Sequence, residues 1–399
     1  MSFINLITAS FFAGFGLGYL KFYGLEHLTF FHGMDSKSWV IQGVGALITL
    51  GPCLIYFLSS PLASSYKKRW VMFAAAGITA VLLVFGGITD YIGTAWTYVF
   101  LAGLIMGCFN AAKNAAIPLE AVKSGRSTES VNAAVNIGFL AGMMLGVPIG
   151  TKMYEVNPAW GLYFCIALFV FAALFGSFCH FSNENLQNFR QSTNFLCEDT
   201  RFLIKKYKLY LLMVPLIWGV VSALSLSIIA YAEEAKLGTA TQCSFMAIYA
   251  AVAVAVGNVM ADKLKKNRYH VTFIYNILLI VFILLIPVLI RLFAEPTIEE
   301  NRVIYWILAA VAAFLGILFG LSTNLIEAEW FRMIYEDKKE GAGAALMSAA
   351  VALACFVLGT SVGVLLLLKI VSPESQFLWL ALISALIAYL TKVWKDNAG

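Results

Sequence analysis

Residues 110–150 read NAAKNAAIPLEAVKSGRSTESVNAAVNIGFLAGMMLGVPIG. Two apolar segments are joined here by a short charged turn, Glu120 to Glu129. The second segment carries Gly138, Gly142, Gly146 and Gly150, one every fourth residue. That spacing lines one helix face with glycine, and a face without side chains lets another helix come to backbone contact. Upstream, Asn110, Lys113 and Asn114 set an amide, an ammonium and a second amide on one face of an apolar helix.

The rest of the chain has the same character. Hydrophobic residues make up 61% and charged residues 12%, with mean hydropathy +0.84, whereas a soluble domain carries about 25% charged residues. Apolar runs of about 20 residues recur, each long enough to cross roughly 30 Å of hydrocarbon. The fold class is all-α and polytopic in a membrane. No ten-residue run alternates with period two, which excludes a transmembrane β-barrel. The first apolar run has no basic leader and passes straight into further spans, unlike a cleaved signal.

Twelve spans follow: 4–28, 38–59, 70–89, 95–118, 130–152, 159–180, 209–231, 241–261, 270–291, 303–328, 342–369 and 376–394. Basic residues test this map. Of 27 Lys and Arg, 19 fall in one alternating set of loops and termini and 7 in the other, and Lys113 is the remaining one. The positive-inside rule then puts both termini in the cytoplasm. Trp39, Trp70, Trp96, Trp160, Trp306, Trp330, Trp379 and Trp394 fall at span ends, where amphipathic rings anchor in the interface.

The longest internal loop, 181–208, divides the chain into an N-terminal six-helix half, 1–180, and a C-terminal half, 209–399. Within it Leu186, Phe189, Thr193, Leu196, Thr200 and Leu203 recur at helical spacing beside Arg201, Lys205 and Lys206. The pattern predicts an amphipathic cytoplasmic helix on the membrane surface. The halves repeat weakly. Asn110 to Ala134 and Asn324 to Ala345 each run from Asn through an acid and a charged turn to a small-residue helix start. Two such halves mark a transporter architecture with its substrate site at the midplane.

ADKLKKNR, residues 261–268, resembles the loop signature of the major facilitator superfamily, with Asp262 and Arg268 in the places of its gating ion pair. In the first-half copy Ser60 and Ser64 stand where Gly and Asp are usual. Three blocks are similar to the bacterial lysophospholipid transporter family within it. They are SSYKKRWVMFAAAG (64–77), NAAKNAAIPLEAVKSGRSTESVNAAVNIGFLAG (110–142) and EEAKLGTATQCSFMAIYAAVAVAVGNVMADKL (233–264). The resemblance puts Lys113, Glu120 and Asn132 in the family's places. It also marks two departures: Leu17 and Gly18 stand near an expected Asp-Asn pair, and Ser225 near an expected Arg. Losing both members of a charge pair leaves no unpaired charge in a low-dielectric site.

By analogy with that architecture, spans one, four, seven and ten line the route. Lys113 is the leading substrate-binding candidate, because a charge among apolar residues is expensive without water or a partner. Asn110 and Asn114 flank it. Span seven adds Trp218, Ser222 and Ser225 on one face, and span ten adds Asn324. Glu120 and Glu327 are candidate gating partners of Lys113. Asn132 and Asn136, one turn apart, are expected to hydrogen-bond Asn110 or Asn114. Span one offers Tyr19, Lys21 and Glu26 near one end.

Several classes are excluded. The seven cysteines are scattered without a CxxC or Cys/His cluster, so no metal is expected. No nucleophile, base and acid set appears, so the protein is read as no enzyme, with no catalytic residue and no cofactor. The net charge of +5 is accounted for by loops and calls for no nucleic acid. No Asp or Glu lies at the centre of a span, which leaves proton coupling without its usual group. The leading expectation is a monomeric carrier in the bacterial inner membrane, in contact with membrane lipid. It moves an amphipathic, lysophospholipid-like molecule by alternating access. The alternative is a proton-coupled carrier of a small polar solute, drug or siderophore.

Overall fold

The structure is a computed structural model that describes residues 2–32, 50–87, 92–181, 184–234, 240–264, 268–293, 302–368 and 375–398. All regular structure among the described residues is helical. The N-terminal helices are α1 (Ser2–His32), α2 (Gly51–Leu54), α3 (Tyr56–Ser65), α4 (Lys68–Gly87), α5 (Ile92–Ser124), α6 (Thr128–Val156) and α7 (Pro158–Ser177). Then come α8 (Phe189–Asn194), α9 (Leu196–Glu234), α10 (Ala240–Leu264), α11 (Arg268–Phe293), α12 (Arg302–Glu336), α13 (Glu340–Leu367) and α14 (Gln376–Ala398). Every expected span meets a helix, the second through α2 and α3 over its described part. Among the described residues nine helices are long and apolar enough to cross a membrane.

Several helices overrun their spans, α5 and α12 among them. α5 has 33 residues and α12 has 35, about 50 Å each at 1.5 Å per residue. Both continue past the apolar stretch into charged sequence, so Glu120 and Glu327 are helical. The turn expected over Glu120 to Glu129 is therefore shorter, with only 125–127 between the helices. Ala121, Val122 and Lys123 keep the helix going, and Gly125 ends it at φ +66°. Ser127 starts the next helix by accepting from the Ser130 amide at 3.2 Å, the usual role of an N-cap hydroxyl.

The second half closes its corresponding turn in the same way. The Arg126 amide reaches back to the Ala121 carbonyl at 3.1 Å, and the Lys339 amide to the Ile334 carbonyl at 2.8 Å. Each five-residue reach spans a left-handed residue, Gly125 in one case and Lys338 (φ 57°) in the other. This is the Schellman end of a helix. A repeat that is faint in residue identity is thus plain in backbone geometry. A Cβ at Gly125 would have no neighbour within 4 Å, so Gly125→Ala meets only the backbone cost of a left-handed L-residue. We expect a loss of about 1–2 kcal/mol, read as a lowered thermal midpoint without loss of the folded fraction.

The partner of the glycine face is α1. A Cβ at Gly142 would overlap the Phe11 carbonyl oxygen, and one at Gly146 would lie 2.5 Å from that of Phe15. Glycines on α1 return the contact: Gly14 faces the Phe139 carbonyl and Gly18 that of Met143. The same device joins α2 to α5, where Gly51 meets Gly103 and Gly107 meets Pro52. In the second half α10 meets α12 through Gly257 on Ile317, Gly316 on Ala250 and Gly320 on Val254, and α9 meets α13 through Gly219 on Ala354. Spans two and four, eight and ten, one and five, seven and eleven are thus paired alike.

Contacts group the chain into two compact units. The first comprises Met1–Met34, Leu47–Leu211 and Glu327–Leu353, and the second Asp35–Ala46, Leu212–Ile326 and Ala354–Gly399. In the first unit part of the face expected on a membrane surface in the 181–208 segment is covered by protein. Leu196 and Leu203 are buried, and Leu196 packs with Tyr56, Ala63, Ala111, Ala345 and Ala349. The Thr200 hydroxyl lies 2.7 Å from that of Tyr56. Helical spacing reports that a face is covered, and at Leu196 and Leu203 protein covers it, while Leu186 and Phe189 are exposed. Trp330 is a second correction. It is fully buried, with its ring edge-on to Tyr207, so it packs rather than anchors. Trp70, Trp160, Trp306 and Trp379 are exposed, as interfacial rings should be. Trp39 lies outside the described residues, as do the side chains of Trp96 and Trp394.

Candidate substrate and gating site

Within the first unit, three helices bring polar side chains together. α5 presents Asn110, Lys113 and Asn114 at helical spacing, and α6 presents Asn132, Asn136 and Phe139 at i, i+4 and i+7. The end of α12 brings Glu327. The Glu327 carboxylate accepts from the Asn136 amide at 3.0 Å and from the Asn132 amide at 3.4 Å, both on Oε2. Asn136 also donates to the Asn132 side-chain oxygen at 3.3 Å. Asn132 and Asn136 therefore both bond an acid from the other end of the sequence. A carboxylate is acceptor-only with room for several donors, so it outcompetes a neutral amide for both groups.

Lys113 is 4% exposed and Glu327 9%. The Lys113 ammonium lies 4.2 Å from the centroid of the Phe139 ring, and Glu327 acts on it electrostatically. A desolvated cation over a ring face gains up to about 2 kcal/mol. Nothing in the sequence singles out Phe139, although its place one face-turn beyond Asn136 is legible there. Asn114 donates to the Ser348 hydroxyl of α13 at 3.2 Å. Asn110 keeps a buried side-chain oxygen without a hydrogen-bond partner.

Glu120, also buried, lies two turns beyond Lys113 on α5, about 10 Å along the axis. Its charge acts on Cys179. Tyr19 is fully buried beside Phe164, and the side chains of Lys21 and Glu26 lie outside the described ones.

In the second unit Trp218 sets its ring edge-on to Phe319, with centroids 4.9 Å apart. Ser222 is half-buried one turn on, and the Ser225 side chain lies outside the described ones. Asn324 is fully buried and donates to the Asn258 carbonyl at 3.1 Å, which ties α12 to α10. Asp262 ends α10, and Arg268 opens α11 with its guanidinium over the Tyr269 ring. Among the described residues no group of three His, Cys, Asp or Glu side chains could hold a metal ion.

The family description Major Facilitator Superfamily matches residues 3–330. Among solved structures the chain is similar to the crystal structure of the human organic anion transporter MFSD10 (TETRAN). The TM-score is 0.67 at 15% identity, over 98% of this chain and 100% of that one. No curated protein matches the chain. The solved structure supports the fold, twelve helices in two six-helix halves, and the family match covers most of the sequence. The protein belongs to the Major Facilitator Superfamily.

Proposed function

We propose that the protein is a secondary transporter that moves an amphipathic molecule with an anionic headgroup, lysophospholipid-like, by rocking of its two six-helix halves. One observation carries the reading: a buried ammonium, Lys113, rests on the Phe139 ring near Glu327. A ring face holds a cation without using its N–H donors. Lys113 therefore keeps three donors for a phosphate, and Asn110 and Asn114 flank it on the same helix face. In this reading Glu327 competes with the substrate for Lys113 and so acts as a gate, and its two amide partners hold it in reserve. The excess of basic residues in one set of loops supports cytoplasmic termini, and the resemblance to bacterial lysophospholipid transporters suggests a bacterial inner membrane.

The test is uptake of a labelled lysophospholipid into proteoliposomes. Wild type should accumulate label, and Lys113→Ala should lower the rate at least tenfold while remaining folded. Uptake indifferent to the substitution would remove Lys113 from the route.

A second reading rests on Glu327 itself, a buried carboxylate between two amide donors. Such a group exchanges a proton when its surroundings change, which suits a proton-coupled carrier of a small polar solute. Uptake of such a solute that requires an imposed pH gradient and fails in Glu327→Gln would favour it.

A further inference from the structure

The segment joining the halves is bonded along most of its length. On one side it meets the turn between α12 and α13. Lys206 lies 2.8 Å from both carboxylate oxygens of Asp337, and the Tyr207 hydroxyl donates to the same carboxylate at 2.6 Å. Lys339 pairs with Asp199 at 2.5 Å, and the Asn185 amide donates to Glu340 at 3.2 Å. On the other side the segment meets the end of α3 and the start of α4. The Gln187 amide donates to the Ser64 carbonyl at 3.1 Å, Ser65 donates to Ser192 at 2.9 Å, and the Lys68 amide donates to Glu184 at 2.9 Å. Lys68 and Glu340 are both buried.

Beside these bonds much of the packing is between small residues. Gly341 sits against the Ser64 backbone, where a Cβ would lie 2.6 Å from the Ser64 nitrogen. Behind it Ala345 and Ala349 pack with Ala63, Ala111, Tyr56 and Leu196. Alanine contacts bury little apolar area, and adhesion scales with area at about 25 cal/mol per Å². Smooth small-residue faces also part without unlocking side chains. The strap has a pivot as well. Tyr207 breaks the helical path of α9 at φ −123°, ψ 27°, where the segment enters span seven. Burial would raise the Asp337 carboxyl, but hydrogen bonds from Lys206 and Tyr207 outweigh it and hold the group below its ordinary range. The latch is therefore charged at neutral pH.

We propose that residues 184–207 form a releasable strap that clasps the α12–α13 turn to the end of α3, and that its release about Tyr207 limits opening of this end of the protein. The proposal rests on the transporter reading for its consequence, but its mechanics are testable without a substrate. Ser348 lies behind the seam, bonded to Asn114, so it reports opening.

The experiment places Ser348→Cys in full-length protein lacking its seven native cysteines, reconstituted in nanodiscs, and follows alkylation by a polar maleimide. Lys339→Asp and Asp199→Lys should each speed alkylation about tenfold. The two together restore opposite charges and should bring the rate back to within threefold of the parent. Tyr207→Phe, which keeps the ring and removes one bond to Asp337, should give a smaller increase of two- to fourfold. Single reversals that leave the rate unchanged overturn the strap. So does a charge-exchanged pair as fast as the single reversals, which would mean general damage. If alkylation responds as expected and wild type moves no lysophospholipid, the strap stands and the substrate reading falls.

Discussion

Gly142→Val abolishes the folded transporter. A Cβ at this position would overlap the Phe11 carbonyl oxygen and lie 2.7 Å from the Phe15 nitrogen, whereas real Cβ atoms stay beyond 3.0 Å. Both obstacles are backbone, so no rotamer change relieves them. α1 and α6 must move apart, and doing so strips contact from Gly138, Gly146, Gly14 and Gly18 along the same seam. Overpacking costs about 1–3 kcal/mol where side chains can yield, and here they cannot. We expect a cost above that range, seen as loss of the monodisperse peak on size exclusion in detergent. Gly142→Ala, with the same first atom, should already lower the midpoint. Gly77 is the control. It is helical with nothing within 4 Å, so Gly77→Ala should stabilise by up to about 1 kcal/mol through helix propensity. A well-behaved Gly142→Val protein would show that the two backbones are not in contact.

Glu327→Ala should be the most damaging single change at the polar cluster. It removes the acceptor of Asn132 and Asn136 and the negative charge that acts on Lys113. Removing one charge from a buried site leaves the other less compensated, which puts the cost toward about 3 kcal/mol, the low end of the range for a broken buried pair. Glu327→Gln keeps an oxygen for the two amides and should cost roughly half as much. The informative variant is the double, Glu327→Ala with Lys113→Met. Removing the ammonium as well takes away the uncompensated charge, so the double should be more stable than Glu327→Ala alone, with a coupling of about 1–3 kcal/mol. Thermal unfolding in detergent, with wild type, the two single variants and the double side by side, gives the cycle. Strict additivity would mean that Glu327 serves Asn132 and Asn136 and has no bearing on Lys113.

Much of the fold is written in local pattern. Apolar runs place the helices because a chain in hydrocarbon must satisfy its backbone internally. The period-four glycines on span five foretell a backbone contact, since nothing else benefits from a bare helix face. Gly125 and Ser127 mark the end of one helix and the start of the next, because a left-handed residue and a capping hydroxyl are local requirements. The Asn, acid and charged-turn pattern of the two halves is legible, and the backbone bears it out with matching ends at Arg126 and Lys339. The superfamily followed from the same residues.

Which surfaces meet is another matter, and only the tertiary structure decided it. The glycine face is specific in shape but anonymous in partner, and α1 takes it because Gly14 and Gly18 present matching gaps. The linker face of Leu196 and Leu203 has the spacing of any covered helix, so the sequence does not distinguish lipid from the alanines of α3, α5 and α13. Glu327 joins Asn132 and Asn136 across nearly 200 positions of chain. Nothing near any of the three announces the others, because electrostatic and hydrogen-bond partners are chosen by distance in space. Lys113 is conspicuous in the sequence for its cost alone. What offsets that cost, the Phe139 ring and the Glu327 carboxylate, becomes visible when the helices are packed.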